Sequence, residues 1–409
     1  MIDTSIPYEQ HLRRRTDAVA TPCVHAGETI DATGALDTPI VLSSAFAFES
    51  AEHAANVFAG HSEGWIYGRW SNPTVAALET KVAALEGAEA ACATASGMAA
   101  IAGVLLSTCE AGDHVVAPRA IYAESARLMR ERLPRLGIHT TFVDATPEAY
   151  AAAMTDKTRV LYVETPSNPT LGVVDIAAVV AKAAKHAVVI VDNTFATPFA
   201  QNPLALGAHL VVHSMTKGMS GHGDVIGGAV AGDKERIARA KDVIVRGFGG
   251  VLSPMSAWLV MRGLRTFALR QERACVTAAA LASFLAKDER VAAVHHPSLA
   301  SHPGHALAKV QMHAYGALLS FELEGASNGQ ALARGRKMLE AFRVATHAVS
   351  LGDTRTLVVH PASTTHVSVP EADRRAAGLT DGLLRVSVGL EGMNDLVSDF
   401  GEALNGAFS

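Results

Sequence analysis

With 409 residues, 49% of them hydrophobic and 18% charged, the chain has enough apolar material for a sizeable core in one large domain or two. A formal net charge of −5 leaves no basic excess, which sets aside nucleic acid and anionic membrane surfaces as partners.

The N-terminal stretch MIDTSIPYEQHLRRR has no apolar segment of the kind that directs export, and no apolar run long enough to span a bilayer occurs. Residues 1–70 are weakly periodic and interrupted by Pro7, Pro22 and Pro39; they read as an extended arm that packs on the main body or on another chain. From Pro73 the pattern alternates. Thr74–Leu85 has helical spacing (Val75, Leu78, Val82, Leu85) and stops at Gly87, and a buried helix follows the Ser96-Gly97 turn over Ala99–Leu106. Strand-like runs come at His114–Ala117, His139–Phe142, Val160–Val163, Val188–Val191, Leu210–Val212 and Gly227–Ala231, with helical stretches such as Ile176–Lys185 between several of them. This alternation predicts an α/β domain over residues 71–265 with a mostly parallel central sheet. A long helix over Thr266–Lys287, β segments at Ala317–Glu324, Thr356–Val359 and Leu384–Val388, and a closing helix from Asn394 predict a smaller C-terminal α+β domain over residues 266–409. Cys23, Cys92, Cys109 and Cys275 are widely spaced without a C-x-x-C pair, as buried thiols of a reduced, cytoplasmic protein would be.

Chemistry concentrates at two strand ends. AVVIVDNT (187–194) is an apolar run followed at once by Asp192, and LVV (210–212) discharges into His213-Ser214-Met215-Thr216-Lys217 and a glycine-rich tail. A lone lysine there would be a solvated surface group. An aspartate one strand–connection–strand unit earlier makes the pair an arrangement that holds pyridoxal phosphate, with the lysine carrying the cofactor through its amine and the acid partnering the ring nitrogen. Ser214 and Thr216 would give hydroxyls to the phosphate. Ala95-Ser96-Gly97-Met98 is a small-residue turn into a helix, readable as a phosphate cradle or as a plain N-cap.

Eight segments then carry a resemblance: YGRWSNPT (67–74), LEGAEAACATASGMAAI (85–101), VETPSNPT (163–170), VDNTFATP (191–198), HSMTKGMSGHGDVIGG (213–228), LSPMSAWLVMRGLRT (252–266), VSLGDTRTLVVHPASTTH (349–366) and LRVSVGLE (384–391). In this order they are similar, nearly end to end, to the cystathionine-γ-synthase family, the Cys/Met-metabolism group of fold-type-I pyridoxal-phosphate enzymes. The resemblance implies that Gly97, Met98, Ser214 and Thr216 hold the cofactor phosphate. It implies that Tyr67 and Arg69 reach the phosphate of a neighbouring subunit's cofactor in a homotetramer built as a dimer of dimers. Tyr122 would stack on the ring, although Ala123 stands where the family has glycine. Glu164 and Asn168 lie in a strand-end motif, the asparagine approaching the cofactor's phenolic oxygen. Arg385 would fork onto a substrate α-carboxylate with Ser350 beside it. Lys217, Tyr67, Tyr122 and Asp192 become the catalytic set, with Tyr67 an acid/base near the γ-substituent of a small amino-acid substrate.

Four further positions bear on the reaction. Glu124 stands where methionine γ-lyases of the family carry cysteine, and Val245 and Arg246 stand where those enzymes carry Lys-Asp. Arg355 replaces a glutamate of cystathionine synthases and lyases, and with Ser363–His366 resembles O-acylhomoserine sulfhydrylases. These features point to γ-replacement on an O-acylhomoserine with sulfide, giving homocysteine, with Arg355 at the substrate's distal end. The alternatives are γ-elimination by a methionine γ-lyase, giving α-ketobutyrate, ammonia and a thiol, and a cystathionine γ-synthase or lyase. His295-His296, His302 and His305 lack acidic or cysteine partners at ligand spacing and read as solvated loop residues, so no metal site is expected.

Overall fold

A computed structural model describes residues 1–325, 329–364, 367 and 378–409. The strands of the large sheet are β1 (Ala90–Thr94), β2 (His114–Pro118), β3 (His139–Val143), β4 (Thr158–Glu164), β5 (Val188–Asp192), β6 (Leu210–Ser214) and β7 (Gly228–Gly232). They lie in the order β1-β7-β6-β5-β4-β2-β3. Strands β2 to β6 run parallel, and β7 is antiparallel to both its neighbours. The apolar runs of β4, β5 and β6 are buried on both faces, as a parallel sheet covered by helices requires. A second sheet, in the order β10-β11-β12-β9-β8, holds β8 (Val291–His295), β9 (Leu318–Leu323), β10 (Thr346–His347), β11 (Leu357–Val359) and β12 (Leu383–Ser387). The fold is therefore mixed α/β, with a mostly parallel central sheet and a smaller C-terminal unit.

Among the helices, α1 (Tyr8–His25), α2 (Ala51–Phe58), α3 (Pro73–Glu86), α4 (Gly97–Thr108), α5 (Pro254–Leu264), α6 (Phe267–Leu285), α7 (Ala331–Ala341) and α8 (Met393–Phe408) frame the site and the two cores. Helix α3 starts at the Asn72 cap, whose side chain accepts from the Thr74 and Val75 amides, and ends at Gly87 with φ +68°, a left-handed stop that glycine adopts without strain. Leu78, Val82 and Leu85 are buried, as their spacing predicts. The four thiols are free and buried.

Two expectations change, and one strand of the sheet goes beyond them. The arm is not simply extended: α1 folds as an 18-residue helix that buries Leu12, Val19 and Cys23 against α3 and α6. Its polar, proline-bearing sequence hides this, because the helix is held by packing rather than by propensity. Strand β1, Ala-Ala-Cys-Ala-Thr, carries no β-branched run to announce it and exists because it pairs with β7. The histidines are not simply solvated loop residues: two are buried and two half-buried. His296 is fully buried with Nδ1 2.6 Å from Ser298 Oγ, and burial pushes its imidazole down to about 4. His302 is buried, accepting from the Gly304 amide; His305 lies 2.7 Å from the Pro297 carbonyl; and His295, on β8, pairs with Glu322 at 2.8 Å. They serve local hydrogen bonds. Among the described residues no helix is long and apolar enough to cross a membrane.

Candidate active site

The site forms where β4, β5 and β6 end side by side, the place where open parallel sheets bind ligands. Glu164 sits opposite Asp192, and Asp192 opposite Val212, two residues before Ser214. The buried Asp192 carboxylate accepts the Tyr162 hydroxyl at 3.0 Å and the Thr194 amide at 3.0 Å. Glu164 accepts the Tyr122 amide at 2.9 Å and the Asn168 amide at 3.2 Å. Burial, reinforced by the Asp192 charge, pushes the Glu164 carboxyl up to about 8. Glu164 thus anchors the segments that carry Tyr122 and Asn168. Tyr122 stays 44% exposed, which leaves its ring open to stacking.

Beyond β6 the chain turns, with Met215 and Met219 buried on either side of Lys217. The Lys217 Nζ donates to Ser350 Oγ at 2.7 Å. Ser350 comes from the second sheet's region and is held at φ +85°. The same loop passes so close that a Cβ on Gly352 would lie 2.3 Å from the Gly218 nitrogen and 2.8 Å from the Lys217 carbonyl carbon. Arg385, on β12, donates to Asn168 Oδ1 at 3.1 Å and to the Ser350 carbonyl at 2.9 Å, while its Nε is buried without a partner. Burial lowers Arg385 to about 10. Burial, with Arg385 nearby, lowers Lys217 to about 8. Two half-buried cations whose bonded partners are neutral oxygens make a place for an anion.

On the other side, α4 points its N-terminus at Ser214. A Cβ on Gly97 would lie 2.8 Å from Ser214 Cβ, so glycine is what lets helix and strand end meet. The Ser96 hydroxyl caps the Ala99 amide at 3.1 Å, and the Gly97 and Met98 amides, in the first turn, have no partner inside a helix. The cap and the cradle coexist. The Thr216 hydroxyl accepts from the Gly227 amide at 3.0 Å, tying the lysine loop to the start of β7.

Other expected positions lie apart. Tyr67 and Arg69 are exposed on the loop after α2, the Arg69 guanidinium 5.7 Å from the Tyr67 ring centroid and bonded to the Arg246 carbonyl. Glu124 is exposed, 4.0 Å from Arg127, and Val245 belongs to the core beside α4. Arg355 lines a cavity of about 510 Å³ with Thr216, Ser350 and Asp224, and pairs with Asp353 through Nε at 3.2 Å and Nη2 at 3.3 Å. Thr365 and His366, the end of the S-T-T-H segment, fall outside the described residues.

The donor set fits pyridoxal phosphate: a cradle that a Cβ at Gly97 would fill, a half-buried amine lowered to about 8, a buried carboxylate, and an arginine nitrogen left for an incoming anion. Sequence reasoning missed Tyr162, which reads as an ordinary strand residue, and the anchoring role of Glu164. Its only signal is a carboxylate at the end of an apolar run.

The sequence model of a family described as Cys/Met metabolism PLP-dependent enzyme matches residues 20–405. An L-methionine gamma-lyase of Fusobacterium nucleatum subsp. polymorphum is 45% identical over 390 residues, covering 94% of this chain and 98% of that protein. An O-succinylhomoserine sulfhydrylase of Pseudomonas aeruginosa is 39% identical, covering 95% of each. A solved structure described as metB from Corynebacterium glutamicum superposes with a TM-score of 0.87 at 38% identity, covering 94% of this chain and 97% of that one.

Proposed function

Because the chain belongs to the Cys/Met metabolism PLP-dependent enzyme family, we propose that it cleaves the bond between Cγ and its heteroatom in an L-amino acid of the homocysteine or homoserine series, chiefly by γ-elimination from methionine. The observation that carries the reading is the Lys217 amine, lowered to about 8, in a hydrogen bond with Ser350 and beside Arg385. An amine whose proton comes off near 8 rather than near 10.5 is far better placed to serve as a base, and the neighbouring guanidinium would place an α-carboxylate so that Cα faces that base.

Bound pyridoxal phosphate supplies the electron sink for charge that develops at Cα. Gly97, Met98, Ser214 and Thr216 would hold its phosphate, Asp192 would favour protonation of its ring nitrogen, and Tyr122 would cover its ring. Asn168, held by Glu164 and Arg385, would meet its phenolic oxygen. Arg385 takes the substrate carboxylate through the unpartnered Nε edge. Lys217 Nζ removes the Cα proton while Ser350 Oγ fixes its direction, and next moves a proton at Cβ so that the γ-substituent leaves. Tyr67 and Arg69 serve the neighbouring subunit's site in a homotetramer of two dimers, Tyr67 giving or taking a proton at the leaving group. The buried thiols suit a cytoplasmic enzyme.

Elimination takes precedence over the O-succinylhomoserine form of the other reading because Arg355, the cation among the described residues lining this cavity, is already paired with Asp353, which weakens its claim on a succinyl carboxylate. The γ-lyase relative also reaches a higher identity than the sulfhydrylase. The second reading, γ-replacement with sulfide, draws on Glu124, Val245 and Arg246, which depart from the γ-lyase pattern, and on Arg355 at the wall. The test is to give the enzyme methionine, O-succinylhomoserine, O-acetylhomoserine and cystathionine, each with and without sulfide, and to assay α-ketobutyrate and homocysteine. Faster homocysteine formation from any O-acylhomoserine than α-ketobutyrate formation from methionine would replace the first reading by the second.

A further inference from the structure

Behind the site lies a buried charged group that the reaction does not use. Glu86, the last residue of α3, is 1% exposed, as is His213, and Asn193 is fully buried. One oxygen of Glu86, Oε1, takes both His213 Nε2 at 2.5 Å and Asn193 Nδ2 at 3.1 Å. Asn193 directly follows Asp192 at the end of β5, and His213 directly precedes Ser214 at the end of β6. The Asn193 amide also bonds to the Val212 carbonyl at 3.1 Å, and its side chain to Gln201 in both directions. The second Glu86 oxygen and His213 Nδ1 are buried without partners, and Arg15 of α1 adds a cationic field on that side. One oxygen that takes donors from two different strand ends, while the other has none, is a geometry that links the two ends rather than one that saturates the carboxylate.

We propose that Glu86 and His213 are positioning residues: through one carboxylate oxygen they gather the strand end that carries Asp192 and the strand end that runs into Ser214 and Lys217. They thereby set the span between the group that partners the cofactor's ring nitrogen and the groups that hold its phosphate and aldehyde carbon. A bound group held at both ends is sensitive to displacements of a few tenths of an ångström in that span. The proposal rests on the site assigned above.

The test measures pyridoxal phosphate affinity of the full chain, stripped and titrated, by equilibrium dialysis. Glu86→Leu keeps the volume and removes the acceptor; Glu86→Gln restores an acceptor; Asn193→Ala removes one of the two donors. Leu404→Ala, a core truncation in the C-terminal unit, matches the loss of thermal stability without touching the strand ends. Glu86→Leu and Asn193→Ala are expected to weaken the cofactor roughly 10- to 100-fold, the scale on which supporting hydrogen bonds act on a bound group, with Glu86→Gln recovering most of the loss and Leu404→Ala unchanged. Affinity within about twofold of the unmodified protein for Asn193→Ala, or an equal loss in Leu404→Ala, overturns the proposal, and Asn193→Ala decides if Glu86→Leu does not fold. Were Lys217→Ala to bind the cofactor as tightly as the unmodified protein, the site assignment itself would fall; tight binding lost in Lys217→Ala but kept in Asn193→Ala removes only the clamp.

Discussion

Lys217 and Ser350 stand 133 residues apart in sequence and 2.7 Å apart in space, Nζ donating to Oγ. The contact joins the lysine loop after β6 to the loop before β11, and Gly352 is what permits that approach. It makes the smaller sheet's region part of the site rather than a separate unit. Ser350 holds the amine toward Arg385.

Replacement of Lys217 by alanine is expected to lower turnover by at least about 100-fold, the contribution of a positioned general base, with the fold retained. Steady-state rates on the best substrate and a circular dichroism spectrum check it. A loss under tenfold would take Lys217 out of the central role.

The same lysine sets a pH dependence in the cofactor-free protein. Folded, Lys217 gives up its proton near 8; unfolded, near 10.5. Below pH 8 both states are protonated, so the full penalty for burying the cation is present, and it is relieved as pH rises from about 8 to 10.5, where the unfolded state binds more protons. Lys217→Met is therefore expected to stabilise the apoprotein at pH 7 by about 1–3 kcal/mol, after the loss of the Ser350 bond, with the gain shrinking as pH approaches 10. Calorimetry across that range reads it; a gain that grows with pH would reverse the sign.

Arg385→Lys keeps a cation but loses the fork that bonds Asn168 and Ser350 and the buried Nε edge. The expected result is a KM raised roughly 10- to 150-fold, from the 1.5–3 kcal/mol of a charge-assisted contact, with a smaller change in kcat. An unchanged KM would remove Arg385 from the carboxylate site.

Tyr67 and Arg69 are exposed and lie outside the Lys217 group of the same chain. If they complete a neighbour's site, mixing inactive Lys217→Ala with impaired Arg69→Ala under conditions of subunit exchange restores activity, because each hybrid carries one intact site. Activity that stays at the level of the separate variants would confine each site to one chain.

Asp353 neutralises Arg355 at the cavity wall. Asp353→Asn is expected to free the guanidinium and raise kcat/KM for O-succinylhomoserine relative to methionine, and Arg355→Ala to lower that ratio. Ratios that move together in both variants would separate Arg355 from specificity.

Much of this molecule was legible in one dimension. Short strand-like runs located β2 through β7 to within two residues at either end, and for β2 and β4 to β7 the reason is that a strand buried on both faces needs a continuous apolar segment whatever surrounds it. The same locality placed Asp192 and Lys217 at strand ends, and therefore at the mouth of the sheet. What the sequence could not determine was distance between elements. The bond of Tyr162 to Asp192, Glu164's hold on Tyr122 and Asn168, the carboxylate of Glu86 between two strand ends and the reach of Ser350 to Lys217 all depend on side chains far apart in the chain. None leaves a periodic trace. Helix α1 and strand β1 belong with them, since a polar helix and an alanine-rich strand are stabilised by the surfaces they meet rather than by their own residues. Local patterning thus determined which residues stand at the sheet's edge, and tertiary packing alone decided which of them touch and which charges are stripped of water.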